Sequence, residues 1–276
     1  MILKETSEYL HELYGKRLKE ISIEKVVVGI FFTGVKLSNS CGGISYTPLS
    51  DIKDTVCCPS MAAKKPAPGS LKGVSVHEIM NAEKDTPLFN AIKIAVMNAL
   101  SSEEFLADSG YEIIYDKDLH EIIDLNSIKR ISIVGAFIPF IKRLKSMEGI
   151  ELYVVEKKKS SLKDDELRYY VPAERASEVV PISDTVIITG SSIANGTIDE
   201  LLSYFKTGST VAVVGPTASF LPDAFFKRNV GIVSGVIVTD SNAMLDILSD
   251  RGSAYHLFNT CAKKINIVNS SGLSKF

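Results

Sequence analysis

Three β-branched runs between residues 184 and 240 constrain the fold of this chain more than any other feature. Each run ends at a corner rich in glycine or hydroxyl residues, and a helical pattern follows the first two. The runs and their corners are Asp184–Thr189 with Gly190–Thr197, Thr210–Val214 with Gly215–Pro222, and Val230–Val238 with Thr239 and Asp240. Runs of this length and composition predict β–α units of a parallel sheet. Ligands bind at the carboxyl ends of such strands, so these corners are predicted to face a ligand.

Another β–α–β pattern begins at Arg130–Val134, continues through Gly135–Pro139 and a helix, and ends at Glu156. Glu156 lies 21 positions after Gly135, which is the spacing at which Rossmann-type proteins bind ribose hydroxyls with an acid. Phe137 stands where G-x-G-x-x-G needs glycine, and its side chain would keep a pyrophosphate away from the backbone. The sequence therefore disfavours a standard NAD or FAD site and leaves a methyltransferase-like pocket open. Alternatively, Glu156 is an ordinary carboxylate at a strand end.

The corner at residues 190–197 offers polar groups that suit an anionic ligand. Gly190 and Ser191 supply amides and a hydroxyl, and Asn195 adds a side-chain amide at the start of a helix. Thr197 and Glu200 fit a capping box, as the N-cap and the third helical residue. The alternative is that these residues only form the turn and the cap.

The corner Gly215-Pro-Thr217 ends an apolar strand with a stiffened turn and a hydroxyl group. It lacks the Gly-Lys-Ser/Thr ending of a phosphate-binding P-loop. Asp240 brings a carboxylate to the same edge of the sheet, where it is a candidate general base. Asp240 is equally suited to be the N-cap of a helix at Ser241–Ser249.

The N-terminal half predicts an α+β unit with three candidate ligand residues. Its patterns are a helical stripe at 8–21, an antiparallel meander at 25–47 and a helix from Thr86-Pro87 to about Leu100. Tyr46 and Thr47 leave a phenol and a hydroxyl at a loop entry, although an edge strand also accounts for them. Asn98 lies close to the apolar face of the last helix, where a buried hydrogen bond explains it as well as catalysis.

The length and the net charge of the chain limit the classes of protein to which it can belong. The 276 residues exceed the usual size of one core, so two domains are predicted, 1–115 and 116–276. A net charge of −2 gives no reason to expect binding to nucleic acid or to an anionic membrane. The longest apolar run, Val26–Phe32, is too short to span a bilayer. The first residues show no signal-peptide pattern, so we predict a cytoplasmic protein.

The cysteines and histidines form no recognisable metal-binding motif. The cysteines are Cys41, Cys57, Cys58 and Cys261. They are too irregular for a disulfide framework, and the adjacent pair lacks the C-x-x-C spacing, so we expect structural or incidental roles. No two histidines have metal-ligand spacing, and neither H-E-x-x-H nor G-x-S-x-G occurs. Zinc-hydrolase and serine-triad chemistry are therefore disfavoured.

An ordered set of motifs resembles one known family. The motifs are Gly43–Pro48, Ala91–Leu100, Ile133–Pro139, Asp184–Gly190, Asn195–Thr197, Val213–Thr217 and Ser234–Asp240. They span most of the chain, and their order and spacing are similar to those of the family named "putative heavy-metal chelation", first catalogued as a domain of unknown function. The resemblance implies an α/β protein in which an α+β, enolase N-terminal-like domain precedes a Rossmann-like domain with a mainly parallel sheet. It also implies a pocket between the two domains.

The resemblance further implies that the protein binds a small polar ring metabolite, such as a pterin, flavin or metallophore precursor, and condenses or hydrolyses it in the service of heavy-metal chelation. We expect Glu156 to bind hydroxyl or ring N–H groups and Asn195 to hold an anionic edge. Thr217 would position a reacting group, and Asp240 would act as general base. The other residues placed around the ligand are Tyr46, Thr47, Asn98, Gly135, Phe137, Gly190, Ser191, Gly215 and Pro216.

Two other functions stay open at this point. One is a non-catalytic binder of a metal ion or metal chelate, and the other is an S-adenosylmethionine-dependent methyltransferase. The expected partners are a small-molecule ligand, a metal ion or metal chelate, and a second copy of the chain, but neither nucleic acid nor a membrane. The sequence assigns no cofactor and does not decide whether the protein is an enzyme.

Overall fold

The computed structural model describes residues 1–49, 69–83, 86–107, 110–258 and 260–269. These residues form a three-stranded antiparallel sheet and an eight-stranded, mainly parallel sheet, with helices between and around them. The predicted fold class, an α+β domain followed by a domain with a mainly parallel sheet, is confirmed. None of the helices in these ranges combines the length and the apolar content needed to cross a bilayer.

The strands are β1 (Ile23–Val28), β2 (Phe32–Leu37), β3 (Gly42–Tyr46), β4 (Glu112–Tyr115), β5 (Arg130–Val134), β6 (Glu151–Glu156), β7 (Tyr170–Pro172), β8 (Thr185–Thr189), β9 (Thr210–Val214), β10 (Ile232–Val238) and β11 (Ala262–Val268). The helices are α1 (Ile2–Tyr14), α2 (Arg17–Glu20), α3 (Val76–Asn81), α4 (Pro87–Leu106), α5 (Ile138–Leu144), α6 (Ala176–Val179), α7 (Ser191–Ala194), α8 (Ile198–Leu201), α9 (Asp223–Phe226), α10 (Ser241–Ser249) and α11 (Ala254–Phe258). Single 3-10 turns include Leu119–Glu121 and Pro216–Ala218.

The small sheet is the predicted antiparallel meander. Its order is β1-β2-β3, with Val26 paired to Val35 and Gly34 paired to Ile44. Helix α4 packs directly on β3, and Gly43 permits this approach. A Cβ atom added at Gly43 would lie 2.0 Å from the carbonyl oxygen of Ala95, so a larger residue would push the helix off the sheet.

Helix α4 begins as predicted and ends later than predicted. The hydroxyl of Thr86 accepts a hydrogen bond from the backbone N–H of Phe89, and proline occupies the first helical position. The predicted end near Leu100 is wrong, because no glycine or proline follows before residue 110 and Phe105 is buried. The expected single apolar face is also wrong, since every residue at 94–102 is buried.

The large sheet has the order β4-β11-β10-β9-β8-β5-β6-β7. The six strands from β10 to β7 in this list are parallel, and β11 and β4 add an antiparallel edge. Strands β6 and β7 extend the sheet on one side of β5, and β8, β9 and β10 extend it on the other. This is the strand order of a doubly wound fold, in which ligands bind where the order reverses. Because β4 pairs with β11, the large sheet begins before residue 116, and the predicted domain boundary there stays a prediction.

The two faces of the large sheet belong to different hydrophobic cores. Val186 and Val211 pack in the same core as α4 and the small sheet. The alternating residues Ile187 and Ala212 face the opposite side, where α5 covers the sheet. The N-terminal domain therefore occupies one face, and the other face keeps room at its carboxyl edge.

The capping box predicted at Thr197 and Glu200 is wrong. Thr197 precedes α8, but its backbone is helical, with φ −96° and ψ −7°, rather than extended as a side-chain cap requires. Its hydroxyl donates to the carbonyl of Ser192, 3.4 Å away. The carboxylate of Glu200 instead accepts a hydrogen bond from the phenol of Tyr204.

The start of α1 is tied to the large-sheet domain by an ion pair that makes stability depend on pH. Arg228 donates to both carboxylate oxygens of Glu5, at 2.5 and 3.0 Å, and these hydrogen bonds lower the pKa of Glu5 to about 2. The folded-state pKa lies below the ordinary 4.5, so the contribution is complete above that value and disappears as the pH falls towards 2.

We therefore expect Glu5→Gln to lower the free energy of unfolding at pH 7 and to have progressively less effect as the pH falls below 4.5. Urea unfolding at a series of pH values measures this. The matched control is Glu8→Gln on the same helix, where the carboxylate is exposed and 3.8 Å from Lys4. An equal loss at pH 7 and pH 3 for Glu5→Gln would contradict the prediction.

Candidate functional site

A pocket of about 770 Å³ opens at the carboxyl edge of the large sheet, on the face that α5 covers. Its lining residues are 117–120, 136–140, 142, 143, 146, 214–216, 234–236, 254, 255, 258 and 264–266. They come from the segment after β4, the turn after β5, helix α5, the ends or middles of β9, β10 and β11, and helix α11. In the part of the chain that the structure describes, the lining thus comes wholly from the large-sheet domain.

Two glycines let the chain turn away from the sheet beside this pocket. Gly135 has φ +92° and Gly215 has φ +125°, conformations that side chains rarely adopt. A Cβ atom at Gly135 would also lie 2.1 Å from the hydroxyl of Thr189, so the turn after β5 closes tightly on the end of β8. This contact lies where the strand order reverses.

Apolar and aromatic groups form most of the pocket wall. The rings of Phe137 and Phe140 are stacked, with centroids 6.0 Å apart and planes 12° from parallel. Phe140 is buried and Phe137 is half-buried, and both line the pocket. Phe258 and Val236 contribute from α11 and β10. Such a wall suits the flat apolar face of a ring compound.

Two polar side chains interrupt this apolar wall. Ser234 and Asn266 are paired across β10 and β11, and the hydroxyl of Ser234 donates to Oδ1 of Asn266 over 2.5 Å. Nδ2 of Asn266 donates to the carbonyl of Lys117 at 3.0 Å. Asn266 is only 2% exposed, so this hydrogen-bonded chain is fixed in position. The pair Ser234 and Asn266 gives the pocket a hydrogen-bonding group in a fixed position, which we call the polar point.

The rim of the pocket carries an excess of positive charge. Among the lining residues are four lysine or arginine side chains and one carboxylate, that of Asp118. Asp118 is paired with Lys264 at 2.6 Å, and Lys117 is paired with Glu121 outside the lining at 3.2 Å. Lys142 and Arg143, both exposed, form no ion pair with any residue that the structure describes. The rim is therefore set up to attract an anionic group.

Three of the residues predicted from sequence line the pocket. They are Phe137, Gly215 and Pro216, with Gly135 immediately beside them. Asn266, Ser234, Lys142 and Arg143 were missed. Ser234 and Asn266 could have been found, because each is a polar residue inside an otherwise apolar strand.

Four more predicted residues meet at the junction between the domains. Nδ2 of Asn98 lies 2.5 Å from the carbonyl oxygen of Ile44 and 3.1 and 3.3 Å from those of Pro216 and Thr217. The hydroxyl of Thr217 accepts the backbone N–H of Tyr46 at 2.9 Å. Gly190 packs on the same turn, where an added Cβ would lie 3.1 Å from Cβ of Thr217. These groups hold the domains together, and a ligand pocket between the domains stays a prediction.

Three of the remaining predicted residues have other structural partners. The hydroxyl of Thr47 is buried against Thr33 at 3.0 Å, and that of Ser191 lies 2.9 Å from the hydroxyl of Thr189. The carboxylate of Glu156 accepts three backbone N–H groups, from residues 136, 157 and 158. Oδ1 of Asn195 is buried and accepts no hydrogen bond from the described residues. A ligand role for each stays a prediction.

Asp240 is the N-cap of α10, which confirms the alternative given for it and the predicted bounds of the helix. Its Oδ1 accepts the backbone N–H groups of Asn242 and Ala243, at 2.9 and 3.0 Å. It is exposed and does not line the pocket. Its role as a general base stays a prediction.

The described side chains do not fit a metal centre built from three or more protein ligands. Within the described ranges, no three His, Cys, Asp or Glu side chains gather closely enough to share an ion. Burial raises the pKa of the Cys261 thiol to about 11 and also raises the pKa of Cys41, so both favour the thiol over the metal-binding thiolate. Cys57 and Cys58 lie outside the described residues.

Two family models match the chain, and both are described as "putative heavy-metal chelation". One matches residues 118–267, more than half of the chain, and the other matches residues 11–101. The chain belongs to this family. The first matched region contains the whole described lining of the pocket except Lys117, so the pocket is part of the family's C-terminal domain.

One protein is similar to this chain in sequence, and two crystal structures are similar to it in fold. An uncharacterized protein of Methanocaldococcus jannaschii is 30% identical over 176 residues, 62% of this chain, and the chain spans 62% of that protein's length. A crystal structure of a family member of unknown function from Pyrococcus horikoshii superposes with a TM-score of 0.76 at 21% identity, covering 97% of this chain and all of that one. A structure from Desulfitobacterium hafniense gives 0.69 at 17% identity, covering 95% and 99%. The two structures show the same fold.

We expect Asn98→Asp to destabilise the protein by about 3 kcal/mol or more, because it places a buried carboxylate against three carbonyl oxygens. Urea unfolding at pH 7 measures the change. The control is Asn126→Ala, which alters an exposed asparagine and should change stability by less than about 0.5 kcal/mol. If the two variants were equally stable, Asn98 would not hold the domains together.

Proposed function

We propose that this protein serves heavy-metal chelation by binding a small ring metabolite with an anionic group in the pocket of its large-sheet domain. A pterin, a flavin or a metallophore precursor is the class of compound that fits. In this proposal the metal ion is held by the small molecule rather than by protein side chains. The observation that carries it is the combination, in one pocket, of an aromatic wall, a fixed polar point and rim cations that pair with no described carboxylate.

The size and wall of the pocket support a ring compound. A volume of about 770 Å³ lies within the range of roughly 300–1,000 Å³ typical of small-molecule sites. Phe137 and Phe140 both line the pocket and stack on each other, so a flat ligand can pack against rings that are already held in place. Little side-chain freedom is then lost on binding.

The charge at the rim supports an anionic substituent. Lys142 and Arg143 project from the last turn of α5 and have no described carboxylate to neutralise them. An anionic group at this position would gain attraction from both side chains, and a guanidinium can bind a carboxylate or phosphate through two parallel hydrogen bonds. The apolar body and the charged end of the ligand would therefore be recognised by different parts of the pocket.

The polar point supports a defined orientation of the ring. The Ser234 hydroxyl gives its proton to Asn266 and keeps its lone pairs, so it can accept an N–H group of a heterocycle. Because Asn266 is held by Lys117, the hydroxyl is not free to turn its proton toward the ligand. A ring N–H donor is thus favoured over a ring acceptor at this place.

Condensation or hydrolysis of the ligand stays a prediction. Thr217 and Asp240, the residues to which we assigned that chemistry, do not line the pocket and have structural hydrogen bonds. His120 is the histidine among the described lining residues, and an imidazole can both donate and accept a proton. We therefore propose His120 as the residue that would transfer a proton to or from a ligand bound here.

We expect 6-carboxypterin and flavin mononucleotide, each at millimolar concentration, to raise the melting temperature, because a ligand that binds the native state stabilises it by mass action. Replacing Lys142 and Arg143 together by alanine should raise the dissociation constant measured by calorimetry by about tenfold or more. The matched control replaces the exposed Lys16 and Lys19, which removes the same charge from the N-terminal domain and should leave binding unchanged.

Three results would count against this function. A shift with S-adenosylmethionine but with neither ring compound would favour the methyltransferase. Equal weakening of binding by both pairs of substitutions would show that net charge, rather than the pocket rim, attracts the ligand. No shift with any compound, together with native mass spectrometry that finds no retained organic molecule in freshly purified protein, would overturn the proposal.

A further inference from the structure

Two of the four histidines meet on the surface of the N-terminal domain, remote in sequence from the pocket residues. His11 lies near the end of α1 and His77 lies in α3. Their ring centroids are 5.9 Å apart and their planes are 67° from parallel. Both side chains are half-buried, so solvent reaches them. Their separation by 66 positions in the sequence conceals this pair from any search for a short metal-binding motif.

The hydrogen bonds of His11 fix which of its nitrogens is free to bind an ion. Nδ1 lies 2.8 Å from the carbonyl oxygen of Ser7, one helical turn earlier. A carbonyl oxygen only accepts, so Nδ1 carries the proton and Nε2 keeps its lone pair. Histidines that ligate metal ions usually donate their other N–H to a carbonyl or carboxylate in this way, which orients the ring.

The lone pair of His11 is directed at the space beside Asn81. Nδ2 of Asn81 donates to Nε2 of His11 at 3.1 Å and to the carbonyl of His77 at 2.8 Å. The amide is therefore held by the same helix that carries His77. Its hydrogen bond to Nε2 occupies the position that an ion bound to His11 would take.

The second ring is available for the same ion. Neither ring nitrogen of His77 has a hydrogen-bond partner among the residues that the structure describes. With metal–nitrogen distances of about 2.0–2.1 Å, two imidazoles on one ion have ring centroids roughly 5–6 Å apart. The observed 5.9 Å falls in this range, so the two rings are close enough to share one ion.

We propose that His11 and His77 form a binding site for a divalent late transition-metal ion, with one ring nitrogen from each histidine and water in the other positions. Imidazole is a good ligand for Zn²⁺, Ni²⁺ and Cu²⁺, and Cu²⁺ binds most tightly of the three. The ion replaces the hydrogen bond from Asn81 to His11. A site with two protein ligands exchanges its ion readily, and it is independent of the function proposed for the pocket.

The test is titration of the full chain with Cu²⁺ alone, followed by calorimetry and by electron paramagnetic resonance. The wild-type protein should bind one more equivalent than either His11→Ala or His77→Ala, with nitrogen hyperfine structure that both variants lose. Counting the difference of one equivalent separates this site from any other copper bound by the chain. His256→Ala is the matched control, because His256 is an exposed histidine held by Ser253 in another part of the fold.

A further variant strengthens the site instead of removing it. Asn81→Asp offers the ion a carboxylate oxygen beside Nε2 of His11 and should lower the dissociation constant for Cu²⁺ by about tenfold, or 1.4 kcal/mol. The proposal is overturned if His11→Ala and His77→Ala bind as much copper as the wild type. It is also overturned if Asn81→Asp leaves the affinity unchanged while both alanine variants only lower the melting temperature.

Discussion

The burial of helix α4 between the two sheets is the constraint on which the rest of the structure depends. From residue 94 to residue 102 the helix has no exposed face, so its polar side chains must find partners inside the protein. Asn98 bonds to carbonyls of β3 and of the turn after β9, and Ser101 accepts the backbone N–H of Leu221 at 3.0 Å. These bonds join the helix to the large-sheet domain as well as to its own domain. Nδ2 of Asn98 and the hydroxyl of Ser101 thereby help to fix the position of one domain on the other, whereas the hydroxyl of Ser102 bonds to Ala99 within the helix.

The turn after β9, at residues 215–217, separates the two sides of the carboxyl edge of the large sheet. Gly215 and Pro216 line the pocket on one side, while the carbonyl of Pro216 and the hydroxyl of Thr217 face the N-terminal domain on the other. This division explains why the pocket lies within one domain. The N-terminal domain packs on its side of the edge, and the pocket opens on the side of α5, where the rim cations Lys142 and Arg143 lie.

The sequence predicts the fold better than it predicts the site. Strand composition and the glycine corners indicate the parallel sheet, because these signals act within a few residues. The corner residues predicted to bind a ligand do lie at the carboxyl edge, yet some of them hold the two domains together or cap a helix, as Thr217 and Asp240 do. Which side of an edge is open depends on how the domains pack, and that is a property of distant parts of the chain. The prediction of a single buried face on α4 is wrong for the same reason, because the other domain covers the residues on its other side.

The shared turn at residues 215–217 has a consequence for how sequences of this kind can change. A substitution at Asn98 alters the support of a pocket wall that it does not touch, and a substitution in the turn alters a hydrogen bond that the N-terminal domain requires. A substitution in one half of this joint therefore requires a compatible residue in the other half, and neither half can be replaced alone by that of a relative. Each half of the chain supplies one partner of hydrogen bonds whose other partner lies more than a hundred residues away in the sequence. The two halves are therefore expected to be inherited together.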